Sequence, residues 1–225
     1  FLRKSRNESS VISEIVGLDI SQSEGAIVFR ATSDVLDEHA DSPEATKWCF
    51  EGTPVVQDGR IYVTARRSTP EDEIMAVCFD ETGQLIWTRR VCVSLLNSPD
   101  HFNLIGHRLL TWGNGQLFVN TGTGAIAALN ATDGKINWVV TYRSKVELTR
   151  ERLSNPKKIG METCLYHQGV VFVAPADSSD LFALEASTGH VLWHTDRHDR
   201  VLDLLGVVDN RLILGGLKSQ SVDTR

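Results

Sequence analysis

The sequence predicts an all-β fold, a β-propeller of stacked four-stranded antiparallel blades. Three observations carry that expectation. A Gly-x-x-x-Trp segment recurs as Gly83 to Trp87, Gly134 to Trp138 and Gly189 to Trp193, with the tryptophans 51 and 55 residues apart. A ladder of apolar runs accompanies it: "GRIYVTA" (59–65), "GQLFVNT" (115–121), "GVVFVAP" (169–175) and "NRLILGG" (210–216). The pairs Asp58-Gly59, Asn114-Gly115, Gln168-Gly169 and Asp209-Asn210 open those runs, and such pairs supply the positive φ of a two-residue hairpin turn.

Each unit reads in order as strand, tight turn, strand, loop, strand, tight turn, strand. The first strands are "TPVV", "RLLTW", "CLYH" and "LLGVV". The ladder gives the second strands. The third strand, the turn and the start of the fourth strand lie in "MAVCFDETGQLIW" (75–87), "AIAALNATDGKINW" (125–138) and "DLFALEASTGHVLW" (180–193). Here Cys78, Ala128 and Ala183 form a small-residue column, and Phe79, Leu129 and Leu184 an apolar one. The glycine closes the turn to the fourth strand, which carries the tryptophan. These runs are short, rich in Val, Ile, Leu, Phe and Tyr, and bounded by Gly, Asp and Asn, as strands are. No window has a helical period. A four-stranded sheet with two apolar faces must stack on others, and radial stacking of repeats buries both faces. The three tryptophans are expected at equivalent outer-strand positions, each largely buried against the next blade. The units run over about 53–87, 108–138 and 163–193, with an incomplete unit at 204–225. Residues 1–44 read as a linker or the remnant of a preceding blade, and 45–225 as the repeats. Trp48 reads as the last residue of an earlier blade.

Composition narrows the function classes. The 225 residues are 41% hydrophobic and 23% charged, with net charge −6. That acidity argues against a nucleic-acid surface. No apolar run reaches the ~18 residues of a membrane span. Cys49, Cys78, Cys92 and Cys164 include no C-x-x-C pair, which removes the usual zinc and thioredoxin signals. One or two disulfides and four free thiols fit the sequence equally.

The segments "ALNATDGKINW" (128–138), "ALEASTGHVLW" (183–193) and the shorter "CFDETGQLIW" (78–87) resemble the tryptophan-docking motif of the quinoprotein (PQQ) propellers. The resemblance assigns Gly83, Trp87, Gly134, Trp138, Gly189 and Trp193 to structural docking. It implies a segment of about four blades from an eight-bladed ring. That superfamily includes PQQ- and calcium-dependent alcohol dehydrogenases. It also includes cofactor-free scaffolds, such as the outer-membrane assembly lipoprotein of the β-barrel insertion machinery. The dehydrogenases carry a vicinal Cys-Cys pair over the cofactor, and this sequence has none. Their calcium ligands and catalytic Asp map onto no motif here. The expectation is therefore a non-enzymatic binding scaffold with no cofactor, metal or catalytic residue. By resemblance it is periplasmic or otherwise extracytoplasmic. The alternative is a PQQ- and calcium-dependent quinoprotein oxidoreductase.

Other constellations read as structure. "NTGTGAIAA" (120–128) contains G-x-G-x-x-A, but Asp133-Gly134 leaves no room for the helix a dinucleotide site needs, so it reads as a hairpin loop. His190, His194 and His198 lack a helix to gather them for zinc. Asp177 and Asp180 are too few for calcium. Two longer segments are the candidate partner-binding loops. Residues 143–162 carry six Lys/Arg and three Glu, and residues 94–103 carry Leu95, Leu96 and Phe102. Both follow a fourth strand and precede a first, so both are expected on one face, facing a protein partner.

Overall fold

The computed structural model describes residues 2–4, 13–21, 25–37, 48–67, 72–94, 107–144, 161–175, 177–196 and 200–217. Among them the fold is nearly all β, with a single 3-10 turn at Ser33–Leu36. The strands are β1 (Leu2–Lys4), β2 (Ser13–Asp19), β3 (Ala26–Thr32), β4 (Cys49–Gln57), β5 (Arg60–Arg67), β6 (Asp72–Asp80) and β7 (Leu85–Ser94). They continue as β8 (His107–Arg108), β9 (Thr111–Gly113), β10 (Gln116–Asn120), β11 (Ala125–Asn130), β12 (Ile136–Thr141) and β13 (Met161–Glu162). The last are β14 (Cys164–His167), β15 (Val170–Val173), β16 (Asp180–Glu185), β17 (Val191–Asp196), β18 (Arg200–Val208) and β19 (Arg211–Leu217).

Three sheets are whole blades: β4-β5-β6-β7, β9-β10-β11-β12 and β14-β15-β16-β17, each an antiparallel meander. A three-stranded sheet β1-β2-β3 precedes them and the hairpin β18-β19 follows. Before the second and third blades, β8 and β13 form a short parallel pair. The four tight turns read in sequence have the positive-φ backbone of a two-residue hairpin. Asp58, Asn114, Gln168 and Asp209 take φ of 52°, 51°, 45° and 47°, and the residue after each is also positive.

Alternation along the strands builds one apolar layer between each pair of sheets. Ile61, Val63, Ala65, Val77 and Phe79 face the N-terminal sheet, where they meet Ile15, Ala31, Leu36, Trp48 and Phe50. Tyr62, Ala76 and Cys78 face the opposite way and pack with Leu117, Val119, Ala127 and Leu129. Phe118, Ile126, Ala128 and Trp138 then meet Val171, Val173, Phe182 and Leu184. The second blade is thus covered on both sides: Leu117, Phe118, Val119, Ile126 and Leu129 have no exposed surface.

The small-residue column has a steric cause. Cys78, Ala128 and Ala183 pair with Trp87, Trp138 and Trp193, each beside a bulge to the next residue of the third strand. On the other flank stand Tyr62, Phe118 and Phe172, with ring centroids 6.1, 6.0 and 6.0 Å from those indoles. Two aromatic rings flanking one short residue fill the row, leaving it no room for a larger side chain.

Two expectations need correction. Trp48 is not on an outer strand; it enters β4 and is 1% exposed, because the sheet β1-β2-β3 lies over it and the Arg67 guanidinium sits 4.8 Å from its ring. Trp193 is 43% exposed, not buried like Trp138 at 9%, because the next sheet is only the hairpin β18-β19 and brings no turn glycine against it. The hairpin β2–β3 repeats the third and fourth strands of a blade: Gly17 pairs with Phe29 and Leu18 with Ile27, as Ala128 pairs with Trp138 and Leu129 with Ile136. Phenylalanine stands where tryptophan was sought, and the turn is two residues longer. All four cysteines are free thiols, which closes the alternative left open by sequence.

Candidate functional site

Each meander alternates its connections between two faces of the stack. One face holds the tight turns at 58–59, 114–115 and 168–169 and the glycine turns at 81–84, 131–135 and 186–190. The other receives the connections from second to third strands and from one blade to the next. Cross-blade contacts show that these loops share a face. The Cys92 thiol near the end of β7 lies 3.4 Å from the Thr123 hydroxyl in the β10–β11 loop. The Tyr142 hydroxyl just past β12 donates to Asp177 Oδ1 in the β15–β16 loop at 2.6 Å.

This loop face carries the buried polar groups. In the first whole blade Glu73 accepts from Arg67 Nη2 at 3.0 Å and pairs with Arg90 Nε at 3.1 Å. Arg66 and Glu51, both under 10% exposed, stand 3.7 Å apart. Buried charges persist only when paired, and here the pairs brace β4 through β7 at their loop ends. Arg67 Nε keeps no hydrogen-bond partner among the described residues. Between the second and third blades, Tyr142 also stands 3.2 Å from Asn120 Oδ1, which accepts from the Gly122 amide at 3.1 Å. Ser144 Oγ reaches the Asp177 carbonyl at 3.5 Å. Asp177 is 5% exposed, and its Oδ2 finds no hydrogen bond among the described residues. Within the β15–β16 loop, Ser178 Oγ donates to Asp180 Oδ2 and accepts from the Asp180 amide.

The six residues singled out by the recurring motif lie on the other face or the outer strands. At Gly134 a Cβ would meet the Trp87 ring at 2.6 Å, and at Gly189 the Trp138 ring at 2.7 Å. The indole N–H of Trp87 donates to the Ala131 carbonyl at 3.3 Å, and that of Trp138 to the Ala186 carbonyl at 2.9 Å. Arg60 and Gln116, both first in a second strand, reach the same carbonyls at 3.4 and 3.1 Å. At Gly83 the ring in that seat is Phe29, a contact missed in sequence although Gly25-x-x-x-Phe29 has the right spacing.

Other sequence candidates separate. Gly122 and Gly124 lie in the loop of a β-hairpin, with no helix after them. His190 is in a turn, His194 is on β17, and His198 lies outside the described residues. No group of three or more His, Cys, Asp or Glu side chains gathers among the described residues. Burial pushes the Cys78 thiol up to about 11, so it is no nucleophile at neutral pH. Of the loops 94–103 and 143–162, residues 95–103 and 145–160 lie outside the described residues, but their anchors at Ser94 and Ser144 stand at the loop face. No helix among the described residues is long and apolar enough to cross a membrane.

Comparison with known proteins places this geometry. The family described as outer membrane protein assembly factor BamB matches residues 14–156 and 71–219. No curated protein matches significantly. Among solved structures, BamB from Moraxella catarrhalis aligns over 90% of this chain and 54% of its own at 15% identity, with a TM-score of 0.52. Saccharomyces cerevisiae Sqt1 aligns over 92% of this chain and 52% of its own at 11% identity, with a TM-score of 0.53. A quinohemoprotein alcohol dehydrogenase from Comamonas testosteroni aligns over 65% of this chain and 21% of its own at 22% identity, with a TM-score of 0.45. The first two likenesses show the fold, and the chain spans about half the length of each of those two structures.

Proposed function

We propose that this chain, which belongs to the family of the outer membrane protein assembly factor BamB, is a non-enzymatic scaffold that presents its loop face to protein partners outside the cytoplasm. The observation that supports this reading is the asymmetry of the two faces. One is closed by short turns. The other anchors both long connections and is braced between blades by the Cys92–Thr123 and Tyr142–Asp177 contacts. A rigid stack with its long connections on one side suits binding through loops. The basic segment 143–162 suits an acidic partner surface. Gly83, Trp87, Gly134, Trp138, Gly189 and Trp193 are, in this reading, joints between blades and not ligand contacts. The family's name suggests partners among outer-membrane assembly proteins, and a periplasmic setting.

As a scaffold the protein needs no cofactor, and two measurements test that. A photo-crosslinking residue placed in turn within 94–103 and 143–162 is expected to trap a discrete protein partner. The same residue at positions 58, 114 and 168 is expected to trap none. Equal capture from both faces would sink the reading. Titration with PQQ and calcium, followed by a dye-linked dehydrogenase assay, is expected to show no turnover; tight binding with turnover would put the quinoprotein reading in its place.

A further inference from the structure

Where the second and third whole blades meet at the loop face, negative charge outnumbers the groups that balance it. Asp177 is 5% exposed. Its Oδ1 accepts from the Tyr142 hydroxyl at 2.6 Å, while its Oδ2, also buried, has no hydrogen bond among the described residues. A buried carboxylate held by one neutral donor is costly unless a cation or further donors reach it. Asp180 stands three residues on, half-buried, at the start of β16. The Ser178 hydroxyl donates to its Oδ2 at 3.3 Å. Neither Asp177 nor Asp180 has an ion pair among the described residues.

Strand alternation brings these two acids to one side. Phe182, two residues after Asp180 on β16, belongs to the layer between the second and third blades, and its ring centroid lies 5.5 Å from that of Tyr142. Asp180 therefore shares the face on which Tyr142 meets Asp177. In the ladder Asp180 is paired with Asp196. The same row holds Met75 opposite Arg90 in the first whole blade and Ala125 opposite Thr141 in the second. The repeat thus has no need of acids in this row, and like charges directly opposite each other destabilise a sheet. In sequence Asp177 and Asp180 are two carboxylates without further ligands. The fold adds the charge of Asp196 by register, and hydroxyl oxygens of Tyr142 and Ser178 on the two carboxylates.

We propose that this corner is a site for a hard divalent cation, calcium by its chemistry, held by Asp177 Oδ2 and the Asp180 carboxylate. The candidate donors are all oxygens, which suit calcium or magnesium and not the softer metals. They come from a loop and a strand end, an irregular set that calcium accepts and that the strict octahedron of magnesium does not. Few protein ligands leave most positions to water, so the affinity belongs with that of extracellular calcium modules, Kd about 10⁻⁴–10⁻³ M. The ion also bears on the loop face. Tyr142 and Ser144, at the base of the 143–162 connection, both bond to Asp177. Neutralising Asp177 fixes that base against the third blade.

Calcium chloride titrated into the chelator-treated chain tests the site, by calorimetry and by the thermal midpoint. The unaltered chain is expected to bind calcium and to melt at a higher temperature as its concentration rises through the millimolar range, because only the folded state gathers the ligands. Magnesium is expected to shift the midpoint less at equal concentration. Asp177→Asn and Asp180→Asn keep side-chain size, and each is expected to weaken calcium binding by about tenfold or more. In chelator each is expected to melt at or above the unaltered chain, since an uncompensated charge is gone. Asp133→Asn, on the opposite face, is expected to leave the affinity unchanged. If either variant fails to fold, Asp196→Asn removes a charge from the same corner and is expected to weaken binding as well. An unaltered chain whose midpoint ignores calcium would overturn the proposal. So would corner variants that bind calcium as the unaltered chain does, or an equal loss in Asp133→Asn.

Discussion

Trp138 and Trp193 hold the same register in successive blades and differ only in what lies beyond them. Trp138 has Gly189 under its ring and the Ala186 carbonyl on its N–H; Trp193 has neither. Trp138→Ala is expected to cost ~3–5 kcal/mol, as large buried aromatics do, and Trp193→Ala roughly 1–2 kcal/mol for its half-buried area. Urea unfolding of dilute samples measures both, and equal losses would contradict the asymmetry of the stack. Cys78 sits in the small-residue column where the other whole blades use alanine. Burial raises its thiol from the usual 9.0 to about 11. The unfolded chain therefore loses that proton first, so this contribution is whole below about pH 9 and is lost as pH rises towards about 11. Cys78→Ala is expected to keep the fold and flatten the stability profile over that window. An unchanged alkaline slope would place the sensitivity elsewhere. At this scale the sequence was legible wherever the repeated residue kept its identity. Phe29 escaped because the joint needs a large flat ring and phenylalanine supplies one without the indole that marked the others.

Glycine turns separate two demands that look alike in sequence. Gly115 and Gly134 both have positive φ, 74° and 69°. Around Gly115 a Cβ meets nothing within 4 Å, whereas at Gly134 it meets the Trp87 ring at 2.6 Å. Gly115→Ala is expected to cost about 1 kcal/mol from backbone conformation alone. Gly134→Ala adds the displacement of a packed ring from the preceding blade, for roughly 2–4 kcal/mol in all. Thermal or urea melts of the two variants compare them directly, and equal costs would mean that the ring yields freely. Hairpins were legible because turn chemistry is local: Asp58-Gly59 and its counterparts specify their own backbone. The braces of the loop face were not. Glu73 meets Arg90 across a strand pair, and Tyr142 meets Asp177 thirty-five residues away across two blades, so no spacing rule announces either. Trp48 misled for the same reason, since its cover comes from β2, β3 and the turn after them.

Across the whole molecule, stability follows the number of neighbours each sheet has, as in any linear stack of repeats. The blade β9-β10-β11-β12 has a complete blade on each side, and Leu117, Val119, Ile126 and Leu129 are wholly buried. The hairpin β18–β19 has half a blade's strands and leaves Leu205 and Val208 64% and 59% exposed. Amide exchange measures the opening of each sheet separately. In a dilute sample, protection is expected to be strongest on β10 and β11, weaker on β5 and β6 and on β15 and β16, and weakest on β18 and β19. Protection on β18 and β19 equal to that on β10 and β11 in a dilute monomer would mean that the terminal hairpin is covered within one copy, and the order of blade stabilities argued from the stack would fail.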